Sequence, residues 1–391
     1  MKIFLIKVKN LIKLILGFIP AITILLYKKF FYKKIIIVSL FSSKFGHFYS
    51  NTENFLRKNY SKKAFFIFYP EEIVDNNYLL KEWKKKIFIV PNFIGFSLFK
   101  LSTILNVKFY NCRDYSAIDR KSFLGKGFLV KKRKFNVNYF TCSIRTSLYH
   151  KKFQVKFNNY QEYRDTDLKN FKLTISKFLN KKKNFQATLI NSNAEKLFQN
   201  NINKINFKLN RSKKFEDILN LISNSNFHFG ASTGVDTIAF SHNTPTALFN
   251  MVLGSSFNFI NYPSKCIVSP MLLIEKKSEK VFKLKKYIKL IKFMENNYQK
   301  DRFDYEDQVK FKVDYKSNSE DEMYNLLNEV YLLSKGMLKL TNKEKKLQNK
   351  FWSIYPIVQR DVLTKQILSD QKKFKPIISP YFLNKHEKFL F

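Results

Sequence analysis

The first long apolar run of this 391-residue chain is Leu14–Tyr27, with Pro20 near its middle. Lys2, Lys7, Lys9 and Lys13 precede it, and Lys28, Lys29, Lys33 and Lys34 follow it. A helix that crosses a bilayer needs about 20 apolar residues. The run is shorter, so it reads as a monotopic or tilted anchor whose basic flanks rest on anionic lipid. The competing reading is a buried helix packed on the next domain. Tyr-Lys-Lys-Phe-Phe after the run offers no small-x-small site, so cleavage as a signal peptide is not expected. Because everything downstream is also basic, the positive-inside tendency keeps the body on the cytoplasmic side.

After this segment the pattern switches between two periods. Lys34–Leu40 is a continuous β-branched run, as in a parallel strand buried on both faces. Asn51–Tyr60 reads as a helix with Asn51 or Thr52 as cap and Glu53 in its first turn. Ala64–Tyr69, Lys86–Val90 and Lys108–Cys112 read as strands, with a helix over Ser97–Leu105. The basic, poorly periodic stretch Lys126–Lys134 is a candidate linker. A second alternation follows: strands over Asn138–Ile144, Gln186–Asn191, Phe227–Gly230 and a last one over Thr246–Asn250, and helices over Leu168–Leu179, Phe215–Ser223 and Val235–Phe240. Asp165 or Thr166 is the expected cap of the Leu168 helix. Beyond about Lys280 the chain turns mostly helical, with an apolar stripe Met323, Leu326, Leu327 and Val330. The alternation predicts an α/β protein built on parallel sheets covered by helices.

Composition narrows the function classes. There are 71 Lys+Arg against 30 Asp+Glu, a formal net charge of +41. Such a field draws nucleic acid, anionic lipid and anionic substrates alike. Only nine of those basic residues are Arg, and sequence readers of nucleic acid favour the guanidinium fork, so specific nucleic-acid binding is not expected. Cys112, Cys142 and Cys266 are scattered and form no C-x-x-C pair, which fits a reducing compartment. No Walker lysine motif, G-x-S-x-G elbow or H-E-x-x-H occurs.

Four constellations can carry chemistry. Gly46, His47 and Glu53 follow the first strand, where ligands gather in open α/β sheets. Gly46 allows close backbone approach, His47 can act as a general base, and Glu53 can orient it or take a proton. The plainer reading is a turn glycine, a solvated histidine and a capping glutamate. Arg145, at the end of the Asn138 strand, can clamp a diphosphate bidentately or form a structural ion pair. Arg164 is a possible second phosphate contact. Asp165-Thr-Asp167 has the look of a metal-binding pair, yet it falls at a helix start, where Asp and Thr cap free N–H groups. Finally, Gly230-Ala-Ser232-Thr233-Gly234 is a strand–turn–helix of small residues. Its amides and hydroxyls suit an anion, and Asp236 either caps or orients the turn.

Taken in order, these blocks resemble a family of bacterial glycosyltransferases of surface-polysaccharide gene clusters. Phe45-Gly-His47 with Asn51-Thr-Glu53 is similar to that family's Ile-Gly-His and Asn-Thr-Glu. Ser143-Ile-Arg145 stands where it has His-Val-Arg-Asp, and Tyr163-Arg164-Asp165-Thr-Asp167 where it has Tyr-Arg-Asn-x-Asp. Phe229–Gly234 with Pro245 and Asn250, Asn318–Glu322 and Ser379–Leu383 also match. The resemblance implies a GT-B-type architecture of two Rossmann-like domains and a nucleotide-diphosphate sugar as donor, with no metal or other cofactor. The paired βα halves and the basic, hydroxyl-rich constellation of the second half give the expected roles: His47 and Glu53 as catalytic residues, and Arg145, Arg164, Ser232, Thr233 and Gly234 at the donor diphosphate, supported by Gly46, Asp167 and Asp236. The expected partners are that donor, a glycan or glycolipid acceptor, and an anionic membrane surface at the cytoplasmic face of the inner membrane. The expected division is residues 1–33 as membrane-associating segment, 34–132 as acceptor domain, 133–300 as donor domain, and 301–391 as a helical extension packed back on the body. Two departures stand out: Ser143 replaces the family's His and Thr146 its Asp. They leave open the alternative of a catalytically degenerate, glycosyltransferase-like scaffold in envelope synthesis.

Overall fold

A computed structural model describes residues 2–31, 34–43, 45–59, 64–112, 129, 137–146, 162–190, 207–209, 215–254, 265–298, 300, 302–355 and 375–391. The expected linker, 126–134, lies outside the described residues except for position 129. The chain forms two compact units, Met1–Lys131 with Lys214–Glu216, and Lys132–Lys213 with Asp217–Phe391.

The first unit opens with helix α1 (Lys2–Phe31) and continues β1 (Ile35–Leu40), α2 (Phe45–Asn59), β2 (Phe65–Pro70), α3 (Asn77–Lys84), α4 (Asn92–Ile104) and β3 (Lys108–Asn111). Its strands are parallel in the order β2-β1-β3. The strand expected over Lys86–Val90 contracts to one parallel bridge, Phe68 to Ile89, beyond β2. The four extended segments therefore lie third-second-first-fourth, half of a doubly wound sheet. Ile37, Ile67, Val90, Leu98 and Leu101 form the core, with Ala21 and Leu25 of α1 packed into it. Phe55 of α2 meets Phe66, Phe68 and Tyr110 edge-on at 5.7, 5.8 and 5.6 Å.

Helix α2 starts at Phe45, six residues before the expected start. The reason lies outside the local pattern: the Phe45 N–H donates to Asp75 Oδ2 at 2.8 Å. A carboxylate from a distant loop thus caps the helix and favours its dipole. Asn51, Thr52 and Glu53 become buried interior positions rather than a first turn.

In the second unit β4 (Asn138–Ser143), α5 (Leu168–Lys181), β5 (Phe185–Leu189), α6 (Phe215–Asn224), β7 (His228–Gly230), α7 (Asp236–Ser241) and β8 (Thr246–Met251) follow the expected alternation, and a short strand that was not expected, β6 (Phe207–Leu209), lies between β5 and α6. The strand at Thr246 is not the last. β9 (Cys266–Pro270) follows, then a hairpin-like pair of β10 (Leu272–Glu275) and β11 (Val313–Lys316) that encloses α8 (Leu284–Tyr298) and α9 (Tyr305–Phe311). The chain ends with α10 (Glu320–Ser334), α11 (Asn342–Ile354), β12 (Ile377–Ile378) and α12 (Pro380–Lys385).

Seven of these strands make one sheet in the order β12-β9-β8-β7-β4-β5-β6, every described pair parallel. Counted from β4 outward, the order is 3-2-1-4-5-6-7, so the winding reverses between β4 and β7. The molecule is thus an α/β protein with two Rossmann-like sheets, an apolar N-terminal helix and C-terminal helices. The residues beyond 301 are integral to the second unit: β12 pairs with β9, and Met323, Leu326, Leu327 and Val330 of α10 lie in the same core as Phe140, Phe178 and Phe227. Burying a side chain of this size contributes about 1.5–3 kcal/mol.

Candidate functional site

In doubly wound sheets ligands bind past the carboxyl ends of the strands at the point where the winding reverses. In the second unit that point is marked by Ser143 of β4 and Gly230 of β7, which are register partners. Below the turn that follows β7 lies a buried polar network. Asp236, fully buried, accepts from His228 Nε2 at 2.8 Å, from the Thr233 amide at 2.5 Å and its hydroxyl at 3.1 Å, and from the Ser143 hydroxyl in a short contact. His228 Nδ1 lies 2.8 Å from Thr141 Oγ1. With His228 in its Nε2–H form and Thr141 donating to Nδ1, each of these donors has an acceptor.

Gly230 makes this possible. A Cβ there would fall against the Asp236 carboxylate and 2.8 Å from Ser143 Oγ. Ser232 sits in the left-handed region, φ 55°, so the turn reverses sharply and turns the Ser232 carbonyl towards Arg164. Arg164 Nη2 donates to that carbonyl at 2.7 Å. The Ser143, His228 and Asp236 side chains are all nearly or fully buried, and both Ser143 and His228 donate to the same carboxylate oxygen. The cluster is a scaffold for the turn rather than a nucleophilic triad, whose base accepts from the serine and is oriented by the acid through its other nitrogen.

Around this scaffold the arginines converge. Arg145 follows β4. Its backbone is locked to Thr166, its N–H donating to Thr166 Oγ1 at 3.1 Å and its carbonyl accepting from Thr166 N–H at 2.9 Å. Asp165 is its acidic neighbour, at 3.9 Å. Arg164 is buried. Burial, then the like charge of Arg145, bring its guanidinium down to about 9, with Arg302 adding to the effect and Tyr163 and Asp236 opposing it. Three of the chain's nine arginines thus act on one place. An anion there relieves mutual repulsion and replaces lost hydration at the same time.

Several expected site residues take other places. Asp167 is exposed and caps α5, accepting from the Lys169 and Asn170 amides at 2.9 and 3.1 Å. Thr233 turns its hydroxyl inward to Asp236 and Ser143. Among the described residues no group of three His, Cys, Asp or Glu gathers. In the first unit His47 lies in the first turn of α2, stacked on Phe41 at 4.8 Å, and the buried Gly46 carbonyl accepts from Ser50 at 2.8 Å. Glu53 is held within α2. It is fully buried and paired with Arg57, whose Nη2 lies at 2.9 Å. Six residues along a helix is about 9 Å and one and two-thirds turns, so the His47 and Glu53 side chains leave the helix on different faces.

His228, Arg302 and Asp75 were not singled out from the sequence. A histidine inside the apolar strand Phe227–Gly230, eight residues before Asp236, is a signal for the first. An arginine in an acidic stretch, just before Asp304, Glu306 and Asp307, is a signal for the second. Burial holds the Asp75 carboxyl above its ordinary value despite the Phe45 amide, and nothing in the local pattern announces it.

No model of a known protein family matches the sequence, and no curated protein matches it. Among solved structures it is similar to a family 9 glycosyl transferase from Veillonella parvula DSM 2008, with TM-score 0.42 and 9% identity over 77% of this chain and 98% of that one. It is also similar to the E. coli ADP-heptose lps heptosyltransferase II, with TM-score 0.36 and 9% identity over 60% and 89%. A third is the UDP co-structure of S. aureus MnaA, with TM-score 0.33 and 9% identity over 56% and 79%. At these scores the functional reading rests on the chain's own residues.

Proposed function

We propose that this protein is a glycosyltransferase that moves a sugar from a nucleotide-diphosphate sugar to a cell-surface glycan or lipid-linked acceptor at the cytoplasmic face of the inner membrane. The observation that carries the reading is the pair Arg145 and Arg164 at the reversal point of the seven-stranded sheet, with Arg164 desolvated beside a like charge. In the GT-B-type division of labour the second unit takes the donor and the first the acceptor. His47 removes the proton of an acceptor hydroxyl as its oxygen bonds to the anomeric carbon. The bond from that carbon to the diphosphate breaks, and the charge gathering on the leaving diphosphate is met by Arg145 and Arg164, with the Ser232–Gly234 turn alongside. Two guanidiniums supply the charge that a divalent cation supplies elsewhere, so the proposed reaction needs no metal.

The test is thermal stability against ADP, UDP, GDP and their sugars, with and without Mg²⁺. A ligand at 100 times its dissociation constant stabilises the folded state by about 2.7 kcal/mol. One nucleotide class should stabilise the protein regardless of metal, and Arg145→Ala should abolish the effect. Stabilisation by none of them in a folded protein would sink the proposal.

A degenerate scaffold remains the second reading, favoured by Glu53 being committed to Arg57 and Ser143 to Asp236. Donor binding without transfer to any acceptor, unchanged in His47→Ala, would select it.

A further inference from the structure

Helix α1 has two faces of different character. Its inner face, Asn10, Leu14, Gly17, Ala21, Leu25 and Lys28, is buried or half-buried. Gly17 lets the helices approach closely: a Cβ there would fall on the Phe93 carbonyl and the Ser97 hydroxyl of α4. Gly17-x-x-x-Ala21 is the small-x-x-x-small spacing that allows two backbones into contact.

The opposite face carries Val8, Ile12, Ile15, Ile19, Leu26 and Phe30, each more than a third exposed and Ile19 75% so. These positions follow 3- and 4-residue steps. They form one line about 33 Å long, in which Thr23 is the polar residue and no charge occurs. Monomeric soluble proteins rarely leave apolar patches beyond a few hundred Å² open. Exposed Lys29 fringes the line, and on the other side Lys9 does so while paired with Glu72.

The stretch Val8–Phe31 is long and apolar enough to cross a membrane. Its attachments argue against a crossing. Near one end Lys9 and Lys13 pair with Glu72, just beyond β2. Near the other, Lys28 Nζ lies 4.1 Å from the Phe65 ring centre, at the start of β2. The helix is thus pinned along the flank of the first unit at both ends. A crossing would take Glu72 and the polar ends of α4 into hydrocarbon, where no water is present to satisfy them.

We infer that α1 lies in the plane of an anionic bilayer, its Val8–Phe30 line sunk among the acyl chains and its Gly17–Ala21 face holding the first unit. A lipid surface fits this line because the fringe and the whole chain, at +41, are basic, and lysines are drawn to an anionic leaflet. The inference deepens the membrane part of the proposed function and does not depend on the transfer chemistry.

The experiment is flotation of the full chain with phosphatidylcholine vesicles with and without phosphatidylglycerol. Wild type and Ile15→Glu/Ile19→Glu are compared, with folding of both checked by circular dichroism. Wild type should float with phosphatidylglycerol vesicles, and the double variant should lose binding about tenfold or more at an unchanged melting temperature. An N-terminal epitope tag and the body should both be cut by protease added outside. A protected tag would show a crossing and overturn the in-plane placement. Undiminished flotation of the double variant would overturn the lipid-facing line. A lipid-insensitive dimer that the double variant splits would do the same, because the line would then face a second copy. Nucleotide binding read in the same samples separates failure of this inference from failure of the donor assignment.

Discussion

At the scale of single residues, the network under the β7 turn and the arginines above it should separate in experiment. Gly230→Ala forces a Cβ between the Asp236 carboxylate and Ser143 Oγ, and overpacking of this kind costs about 1–3 kcal/mol. Its melting temperature and its donor affinity should fall together, because the turn that holds Ser232 and Thr233 must shift. Arg164→Lys should behave otherwise. An ammonium keeps the charge but not the planar fork, so donor affinity should drop at least tenfold, about 1.4 kcal/mol, while the unliganded protein melts no lower than wild type. Loss of affinity in the first variant alone would mean that the arginines are structural. These roles were unequally legible in the sequence. Arg145 and Arg164 could be chosen because the first ends a recognisable strand and the second stands just before a recognisable helix, in a chain whose basic residues are mostly lysine. The Glu53–Arg57 pair could not, because the cap that moves the start of α2 to Phe45 is Asp75, thirty residues away. His228 was hidden by its strand, where a buried imidazole and a core residue occupy the same kind of position.

At the scale of elements, the central strands were readable because buried parallel strands are written as continuous β-branched and aromatic runs. β1, β2, β4 and β8 lie within a residue or two of the expected ranges. β9 and β12 were missed. Each is short, and β12 becomes a strand only by pairing with β9 across more than a hundred residues of chain. The C-terminal pieces are held by polar clamps as well as by the apolar stripe of α10. Asn250 and Asn318 exchange backbone N–H to side-chain oxygen bonds at 2.7 Å in both directions, and His386 bonds Glu322 of α10. One clamp has a measurable pH signature. Glu329 of α10 accepts from the Tyr381 amide at 2.8 Å, yet burial dominates and raises its carboxyl from 4.5 to about 7. A raised acid is neutral in both states below pH 4.5. Between pH 4.5 and 7 the unfolded chain ionises while the folded one resists, so stability is lost as pH rises through that window. Glu329→Gln keeps the acceptor for Tyr381 and removes the titration. It should match wild type at pH 4.5 and exceed it by about 3 kcal/mol at pH 8, read from denaturant unfolding at both values. Equal stability at pH 8 would show that Glu329 is hydrated in the folded state.

At the scale of the whole molecule, a charge of +41 invites binding to any polyanion, and salt is the tool that sorts specific from general attraction. The Debye length falls from about 10 Å at 0.1 M to 3 Å at 1 M. Exposed lysines feel the full change, since binding to a duplex releases counterions and its affinity falls linearly on a log–log scale. A buried guanidinium such as Arg164 is screened much less. The in-plane helix falls between, because its apolar line holds lipid by a force that salt does not weaken. Raising NaCl from 0.1 to 1 M should therefore abolish binding to random duplex DNA and reduce flotation on phosphatidylglycerol vesicles only in part. It should change the affinity of the preferred nucleoside diphosphate least, by less than about tenfold. A nucleotide that followed the DNA slope would be bound by surface lysines. The donor site would then have to be sought away from the reversal point of the seven-stranded sheet.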